Sequence, residues 1–170
     1  NYYYVNKSSL PKVYGGFNTS LSWKGFDLSA IFAYSIGGYI YNRDITMILH
    51  NGSLEGRDWS TEILKRWTPE NRYTDVPALS TTSNNWNSAS TRFLQNNSYM
   101  RLKNLTLSYD LPKQWISKLA LSSVQVFVQG DNLFTIHRNQ GLDPEQGITG
   151  ITYYRYPAMR TISGGINLSF

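Results

Sequence analysis

The side chains that most often perform chemistry do not form a catalytic set in this sequence. The two histidines, His50 and His137, have no neighbouring ligand pattern. The chain has no cysteine, which excludes disulfides, cysteine-bound zinc and thiol catalysis. No Ser/His/Asp set, carboxylate pair on a strand or glycine-rich phosphate loop appears. We therefore predict that the protein is not an enzyme and has no catalytic, cofactor-binding or metal-ligating residues.

Two carboxylates stand close together in the segment Asp143-Pro144-Glu145. Paired carboxylates suit Ca²⁺, which prefers oxygen ligands. The alternative is a loop turn in which the proline fixes φ, and this interpretation is favoured. We therefore expect no cofactor, with calcium left open for the loops or for a partner protein.

Five aromatic residues fall in segments that the sequence predicts to be long loops: Trp59, Trp67, Trp86, Tyr153 and Tyr154. Exposed aromatic rings stack on sugars or anchor a protein partner. The alternative is that they pack the loops together. We take them as candidate contacts to a substrate or to a partner protein.

The composition limits the elements that can position these residues. The chain has 170 residues, of which 41% are hydrophobic and only 16% charged, so a disordered tail and a coiled coil are excluded. No apolar run approaches the roughly 18 residues of a transmembrane helix. The net charge of +5 comes from scattered Lys and Arg, whereas nucleic-acid binding needs a clustered basic face. We therefore expect no nucleic-acid partner.

Apolar and polar residues alternate with period two in five segments, which indicates β-strands. The predicted strands span residues 12–23, 26–36, 99–111, 123–135 and 160–170. Lys24-Gly25 predicts a two-residue turn between the first two strands. A phase slip between Leu102 and Leu105 predicts a bulge in the third.

The connectors between these strands alternate between short and long. The segments 39–97 and 137–159 are long, while 24–25 and 112–121 are short, with residues 116–121 expected to be an amphipathic connector. One short helix is expected near 58–67, capped by Asp58. Long connectors on one side and short ones on the other are typical of an outer-membrane barrel.

Each predicted strand has one apolar and one polar face, and two folds explain this. In a soluble sheet the apolar face is the core, whereas in a membrane barrel it meets lipid and the polar face lines the lumen. Few Lys or Glu on the polar face and aromatics at the strand ends favour the barrel. The residues expected to face lipid are Phe17, Leu21, Phe32, Leu107, Val126, Ile166 and Leu168. The residues expected to face the lumen are Ser20, Ser29, Ser108, Gln125 and Asn167.

The final segment, 163–170, is the most specific pattern. Its order is polar, any, Gly, two of any, apolar, any and terminal aromatic, which fits the assembly signal of outer-membrane barrels. The residues that match are Ser163, Gly165, Leu168 and Phe170. Because five strands cannot close a barrel, for which about eight is the small limit, we expect the chain to be the C-terminal part of a larger protein.

Five motifs, in order along the chain, resemble those of SusC/RagA-type TonB-dependent transporters. They are KGFDLS (24–29), YMRLKNLTLSYDLP (99–112), VQGDNLFT (128–135), GLDPE (141–145) and YPAMRT (156–161). One departure is Asp131, where glutamine is more usual in the family. Together the matches cover roughly residues 12–170.

This resemblance implies an all-β fold, in which residues 1–170 form about the last five strands of a plugged antiparallel barrel of about 22 strands. The plug, the earlier strands and the TonB-contacting region would lie before this chain. The resemblance also implies an integral outer-membrane importer of glycans or peptides, which contacts outer-membrane lipid and the rest of the barrel and pairs with a SusD-type surface lipoprotein that forms a lid. The alternatives are a passive outer-membrane porin or adhesin, and a soluble carbohydrate-binding β-sandwich.

Overall fold

Five long strands and several short elements make up the fold, which a computed structural model describes for residues 3–52, 54, 56–80, 82, 86, 88–116 and 121–170. The strands are β1 Val13–Trp23, β2 Phe26–Ile36, β3 Tyr39–Asn42, β4 Leu94–Asn96, β5 Tyr99–Asp110, β6 Ser123–His137, β7 Ile151–Thr152 and β8 Thr161–Ser169. The helical elements among the described residues are α1 Arg43–Ile48, α2 Lys113–Ile116 and the 3₁₀ helices Thr61–Lys65 and Thr91–Phe93.

The chain divides into two units. The first comprises Asn1–Leu10, Tyr39–Asn96 and Gln146–Arg155. The second comprises Pro11–Gly38, Asn97–Glu145 and Tyr156–Phe170. Within the described residues, none of the helices is long and apolar enough to cross a membrane.

The second unit is built on a five-stranded sheet in the order β1-β2-β5-β6-β8. All neighbouring pairs are antiparallel, so the long strands form a meander. This confirms the five predicted strands, with bounds that differ from the expectation by two residues at most at either end. Because the strand direction alternates, one end of the sheet holds the last residues of β2 and β6 and the first residues of β5 and β8.

The predicted turn and bulge are both present in this sheet. Lys24 and Gly25 have φ values of 48° and 86°, as a two-residue hairpin turn with left-handed backbone requires. In β5, Leu102 lies opposite Phe32 and Phe134, and the next paired residue is Asn104. Lys103 is therefore bulged out of register, which explains the slip in the apolar pattern.

The register places the predicted apolar residues on one face of the sheet. Phe17 lies opposite Phe32, with ring centroids 4.7 Å apart, and Val126 lies opposite Ile166. These side chains do not pack into a core. Those that are exposed are Phe17, Leu21, Leu107, Val126, Ile166 and Leu168. A soluble sandwich would bury this face between two sheets, so the exposure argues against that alternative.

The aromatic residue Phe127 lies on the face that carries mostly polar side chains. It is opposite Gly165 in the register of β6 and β8, and its ring covers the glycine. A Cβ atom built on Gly165 would lie 2.9 Å from two ring carbons of Phe127. The absence of a side chain at Gly165 therefore makes room for the ring, as in aromatic rescue of strand glycines.

We expect Gly165→Ala to destabilise the sheet by about 1–3 kcal/mol, because the added methyl overpacks against the Phe127 ring. The measurement is urea unfolding of the protein that carries this sheet. Combining Gly165→Ala with Phe127→Leu should recover most of the loss. If the single and double variants lose the same amount, the contact with Phe127 is not the cause.

The first unit shows that the long connector 39–96 is folded rather than an open loop. Its small sheet has the order β4-β3-β7, with β3 antiparallel to β4 and parallel to β7. Apolar side chains from across the segment are buried: Ile40, Leu49, Ile63, Val76 and Phe93. Few of these positions are periodic in sequence, and the pattern did not predict this core.

The helix expected near 58–67 is shorter than predicted and has a different cap. It is a 3₁₀ helix from Thr61 to Lys65, and the Ser60 side chain, not that of Asp58, accepts a hydrogen bond from the Glu62 N–H at 3.3 Å. The chain becomes extended at Arg66, whose ψ is 155°. Of the expected connector 116–121, residues 117–120 lie outside the described residues.

Candidate functional site

A buried arginine in the second unit anchors the connector that follows β6. Arg101, near the start of β5, donates from Nη2 to Asp143 Oδ1 at 2.5 Å and from Nη1 to Glu145 Oε2 at 2.9 Å. Its Nε donates to Thr135 Oγ1 at 2.9 Å. Its side chain is 4% exposed, and the Asp143 side chain is 7% exposed. The planar guanidinium therefore uses donors in three directions to bind one strand and one loop.

The bulged Lys103 extends this cluster to its exposed side. Its Nζ lies 2.7 Å and 2.8 Å from the two carboxylate oxygens of Glu145. The bulge thus directs a second cation at the same loop. We call Arg101, Lys103, Asp143 and Glu145 the connector clamp. It joins two motifs that lie far apart in the sequence, residues 99–112 and 141–145.

Asp143 also binds two backbone N–H groups within the connector that follows β6. Its Oδ1 accepts from the Glu145 N–H at 2.9 Å, and its Oδ2 accepts from the Ala158 N–H at 2.7 Å. Burial raises the pKa of the Asp143 carboxyl, but the two N–H groups and the Arg101 guanidinium outweigh burial. The net pKa lies below the ordinary value for aspartate.

A depressed carboxyl pKa makes the clamp sensitive to strong acid. The stabilisation from Asp143 is fully present above the unfolded pKa of about 3.9 and is lost as pH falls through the lower folded pKa. We therefore expect pepsin to leave residues 139–160 intact at about pH 4 and to cleave them increasingly below it. The Asp143→Asn variant should be cleaved at about pH 4 as well as below it. Equal cleavage of the two proteins above pH 4 would contradict this role.

The clamp supports the loop-turn interpretation of Asp143-Pro144-Glu145. Both carboxylates are engaged by cationic side chains, which is the arrangement of a held loop turn rather than of a calcium site. In the described part of the chain, no cluster of three or more His, Cys, Asp or Glu side chains has a geometry for holding a metal ion.

Two of the candidate tryptophans, Trp59 and Trp86, make contacts inside the first unit. Trp59 Nε1 donates to His50 Nδ1 at 2.9 Å, and His50 is buried. Trp86 Nε1 donates to the Leu49 carbonyl at 2.5 Å. The Arg92 guanidinium lies 3.8 Å from the Trp86 ring centroid. Trp86 therefore mainly packs the unit, whereas Trp59 and Trp67 remain exposed.

The candidate tyrosines are adjacent in sequence, and both are exposed. The Tyr153 and Tyr154 rings lie 4.2 Å apart, and the Arg43 guanidinium lies 4.7 Å from the Tyr153 ring centroid. Tyr154 borders an open cleft of 580 Å³ that is also lined by Asp44, Met47, Arg57 and Asp58. Asp58 was expected only as a helix cap, and Asp44, Met47 and Arg57 belong to no local motif in the sequence.

The residues of the predicted assembly signal lie on the last strand and its end. Ser163 is opposite Gln129, Gly165 is opposite Phe127, and Leu168 is opposite Val124. Phe170 follows β8 and is 92% exposed. Strand β8 therefore alternates as expected, with Ser163 and Gly165 on the polar face and Leu168 on the apolar face.

The sequence is similar to those of TonB-dependent receptors. It is 33% identical over 166 residues to TonB-dependent receptor P3 of Formosa agariphila, which covers 91% of this chain and 16% of that protein. It is 27% identical over 168 residues to TonB-dependent receptor SusC of Bacteroides thetaiotaomicron, covering 98% of this chain and 16% of that protein. No family model matches the chain.

The fold is similar to that of solved structures of RagAB. The RagAB peptide importer in the closed-closed state matches with a TM-score of 0.83 and 34% identity, over 98% of this chain and 18% of that chain. A structure of the RagAB peptide transporter matches with a TM-score of 0.84. The chain therefore spans less than a fifth of the length of the relatives it matches.

Proposed function

Because this chain belongs to the SusC/RagA-type TonB-dependent transporters, we propose that it forms the C-terminal part of the barrel wall in an energised outer-membrane importer of peptides or glycans. The observation that carries the proposal is the five-stranded antiparallel meander with an exposed apolar face, matched over nearly its whole length to the RagAB structures. The plug, the earlier strands and the TonB contact belong to parts of the protein before this segment.

In this proposal the apolar face of the sheet meets outer-membrane lipid and the polar face lines the lumen. The exposure of the apolar face supports this assignment, because such a surface contacts lipid in a membrane barrel. Ser20, Ser29, Ser108, Gln125 and Asn167 then face the interior. Ser163, Gly165, Leu168 and Phe170 act as the assembly signal of the barrel.

The two long connectors lie on the extracellular side and contribute to the interface with a SusD-type lipoprotein. Both connectors start and finish at the same end of the sheet, which supports a common side of the membrane. The first connector carries Trp59 and Trp67, whose exposed rings suit interface anchors. A stable interface needs more than about 1,000 Å², and the folded first connector can supply part of it.

The lipoprotein contact is tested by shortening residues 53–90 to a tight turn in the complete transporter. Because this removes Trp59, Trp67 and Trp86, we expect at least a tenfold loss of lipoprotein in co-purification, on the order of 1.4 kcal/mol. The matched control inserts a short tag at Lys113–Ile116, at the other end of the sheet. Retention of the lipoprotein with unchanged affinity would assign these loops another purpose.

Energised import is tested by uptake in cells that carry the complete transporter. Uptake of the substrate should require TonB and should stop when an uncoupler dissipates the proton-motive force. A passive porin or adhesin has neither requirement. Uptake that continues in the absence of TonB would therefore replace the importer proposal with a passive barrel.

A further inference from the structure

Tyr154 in the cleft of the first unit has three polar contacts although its ring is open to solvent. Its backbone N–H donates to Asp44 Oδ1 at 3.0 Å, and its phenol oxygen lies 3.5 Å from Arg57 Nη1 and 3.8 Å from Met47 Sδ. The side chain is nonetheless 63% exposed. Contacts that already position a ring lower the conformational entropy that is lost when a ligand packs on it.

The backbone of Tyr154 is also in an unusual conformation. Its φ is 49°, in the left-handed region that residues other than glycine, asparagine and aspartate seldom adopt. Such conformations have a free-energy cost and cluster at ligand sites and switches. The hydrogen bond to Asp44 holds this conformation and directs the ring towards the cleft.

The polar groups around the Tyr154 ring include both hydrogen-bond donors and hydrogen-bond acceptors. The guanidinium of Arg57 only donates hydrogen bonds, whereas the carboxylates of Asp44 and Asp58 only accept them. A sugar hydroxyl both donates and accepts, so neighbouring hydroxyls of one sugar satisfy both groups. One guanidinium against two carboxylates leaves the cleft with a net negative charge, which disfavours an anionic ligand.

The size of the cleft agrees with a ligand of a few sugar units. Its volume of 580 Å³ falls within the roughly 300–1,000 Å³ of ligand sites. Two common modes of peptide recognition add a strand to a sheet edge or place an apolar helix face in a groove. Three charged side chains, Asp44, Arg57 and Asp58, instead surround an exposed ring here.

We propose that this cleft is a subsite for a neutral oligosaccharide, in which Tyr154 stacks on the C–H face of a sugar ring while Arg57 and Asp58 bind its hydroxyls. The proposal rests on the importer function proposed above and narrows its substrate class to glycans. It assigns binding roles to Arg57 and Asp58 and a positioning role to Asp44.

The test uses the complete transporter, purified in detergent with its lipoprotein and titrated calorimetrically. The probes are maltohexaose, cellohexaose, xylohexaose, laminarihexaose and mannohexaose, with a tryptic digest of casein as the peptide probe. The lipoprotein alone is titrated in parallel so that its own binding is subtracted. We expect at least one hexasaccharide to bind and the peptide digest not to bind at this cleft.

The informative variant is Tyr154→Asn, because asparagine removes the ring yet tolerates the left-handed backbone. Loss of the stacking contact should weaken hexasaccharide binding roughly tenfold. Tyr154→Phe keeps the ring and should bind within about threefold of the natural protein. Tyr73→Asn removes a fully exposed ring elsewhere in the unit and should change nothing.

Three results would overturn the glycan subsite: no hexasaccharide binds, Tyr154→Asn binds as well as the natural protein, or peptide binding is what the variant loses. Each of these leaves TonB-dependent uptake intact and so removes only the substrate class. Failure of the importer proposal has a different signature, which is uptake independent of TonB.

Discussion

Replacing Arg101 with methionine is expected to lower the free energy of opening of the connector after β6 by about 3–5 kcal/mol, which is typical when one partner of a buried ion pair is removed. Methionine matches much of the apolar volume but leaves the Asp143 carboxylate buried without its guanidinium. The measurement is hydrogen exchange of amides in residues 139–160 of the complete transporter. Those amides should exchange on the order of a hundredfold faster or more.

Three variants test whether the clamp is the cause. Lys103→Met removes only the exposed half of the clamp and should change the opening free energy by about 1 kcal/mol or less. Arg101→Lys keeps the charge but not the three-way donor geometry, so it should give an intermediate loss. Arg101→Met combined with Asp143→Leu removes both buried charges and should recover part of the loss. The recovery should be incomplete, because the Ala158 and Glu145 N–H groups lose their acceptor. Unchanged exchange in Arg101→Met would contradict the clamp.

Replacing Leu107 with arginine should destabilise the barrel by about 2–4 kcal/mol if the apolar face meets lipid near the bilayer midplane. Leu107 lies on the central strand of the sheet, opposite Leu28 on one side and Val128 on the other. An arginine there would place a charge in hydrocarbon. The measurement is urea unfolding of the transporter in lipid vesicles, together with its heat-modifiable mobility on gels.

The neighbouring residue supplies the matched control. Ser108 lies next to Leu107 in β5 and points to the opposite face, where Asp27 and Phe127 are its partners in register. Ser108→Arg adds the same charge to the face assigned to the lumen and should be tolerated better. Equal losses for the two variants would mean that the apolar face does not meet lipid.

The long strands were predictable because their pattern is local. Period-two alternation over nine or more residues gave the bounds of β1, β2, β5, β6 and β8 closely, and the phase slip located the bulge at Lys103. The small sheet was not predictable in the same way. Its strands are two to four residues long and come from distant parts of the sequence, so none contains enough alternation to be recognised.

The connector clamp was likewise only partly predictable from the sequence. Arg101 and Glu145 both lie in recognised motifs, but the sequence alone does not place them in contact because 44 residues separate them. The register that sets Tyr99 opposite His137 brings the start of β5 beside the connector after β6. The opposite charges of the two motifs were the available clue. The cleft around Tyr154 offered no such clue, since Asp44 and Arg57 belong to no motif.

The first unit is assembled from three stretches of chain, and this has a consequence for the order of folding. The Ser9 hydroxyl donates to the Ile148 carbonyl across 139 residues, and β3 pairs with β7 across more than a hundred. Closing such long loops is slow because the entropy must be lost before the contacts form. We therefore expect the hairpins of the meander to form first and the first unit to acquire structure last. A barrel with correctly paired strands and an unfinished first unit would then be a late intermediate of its biogenesis.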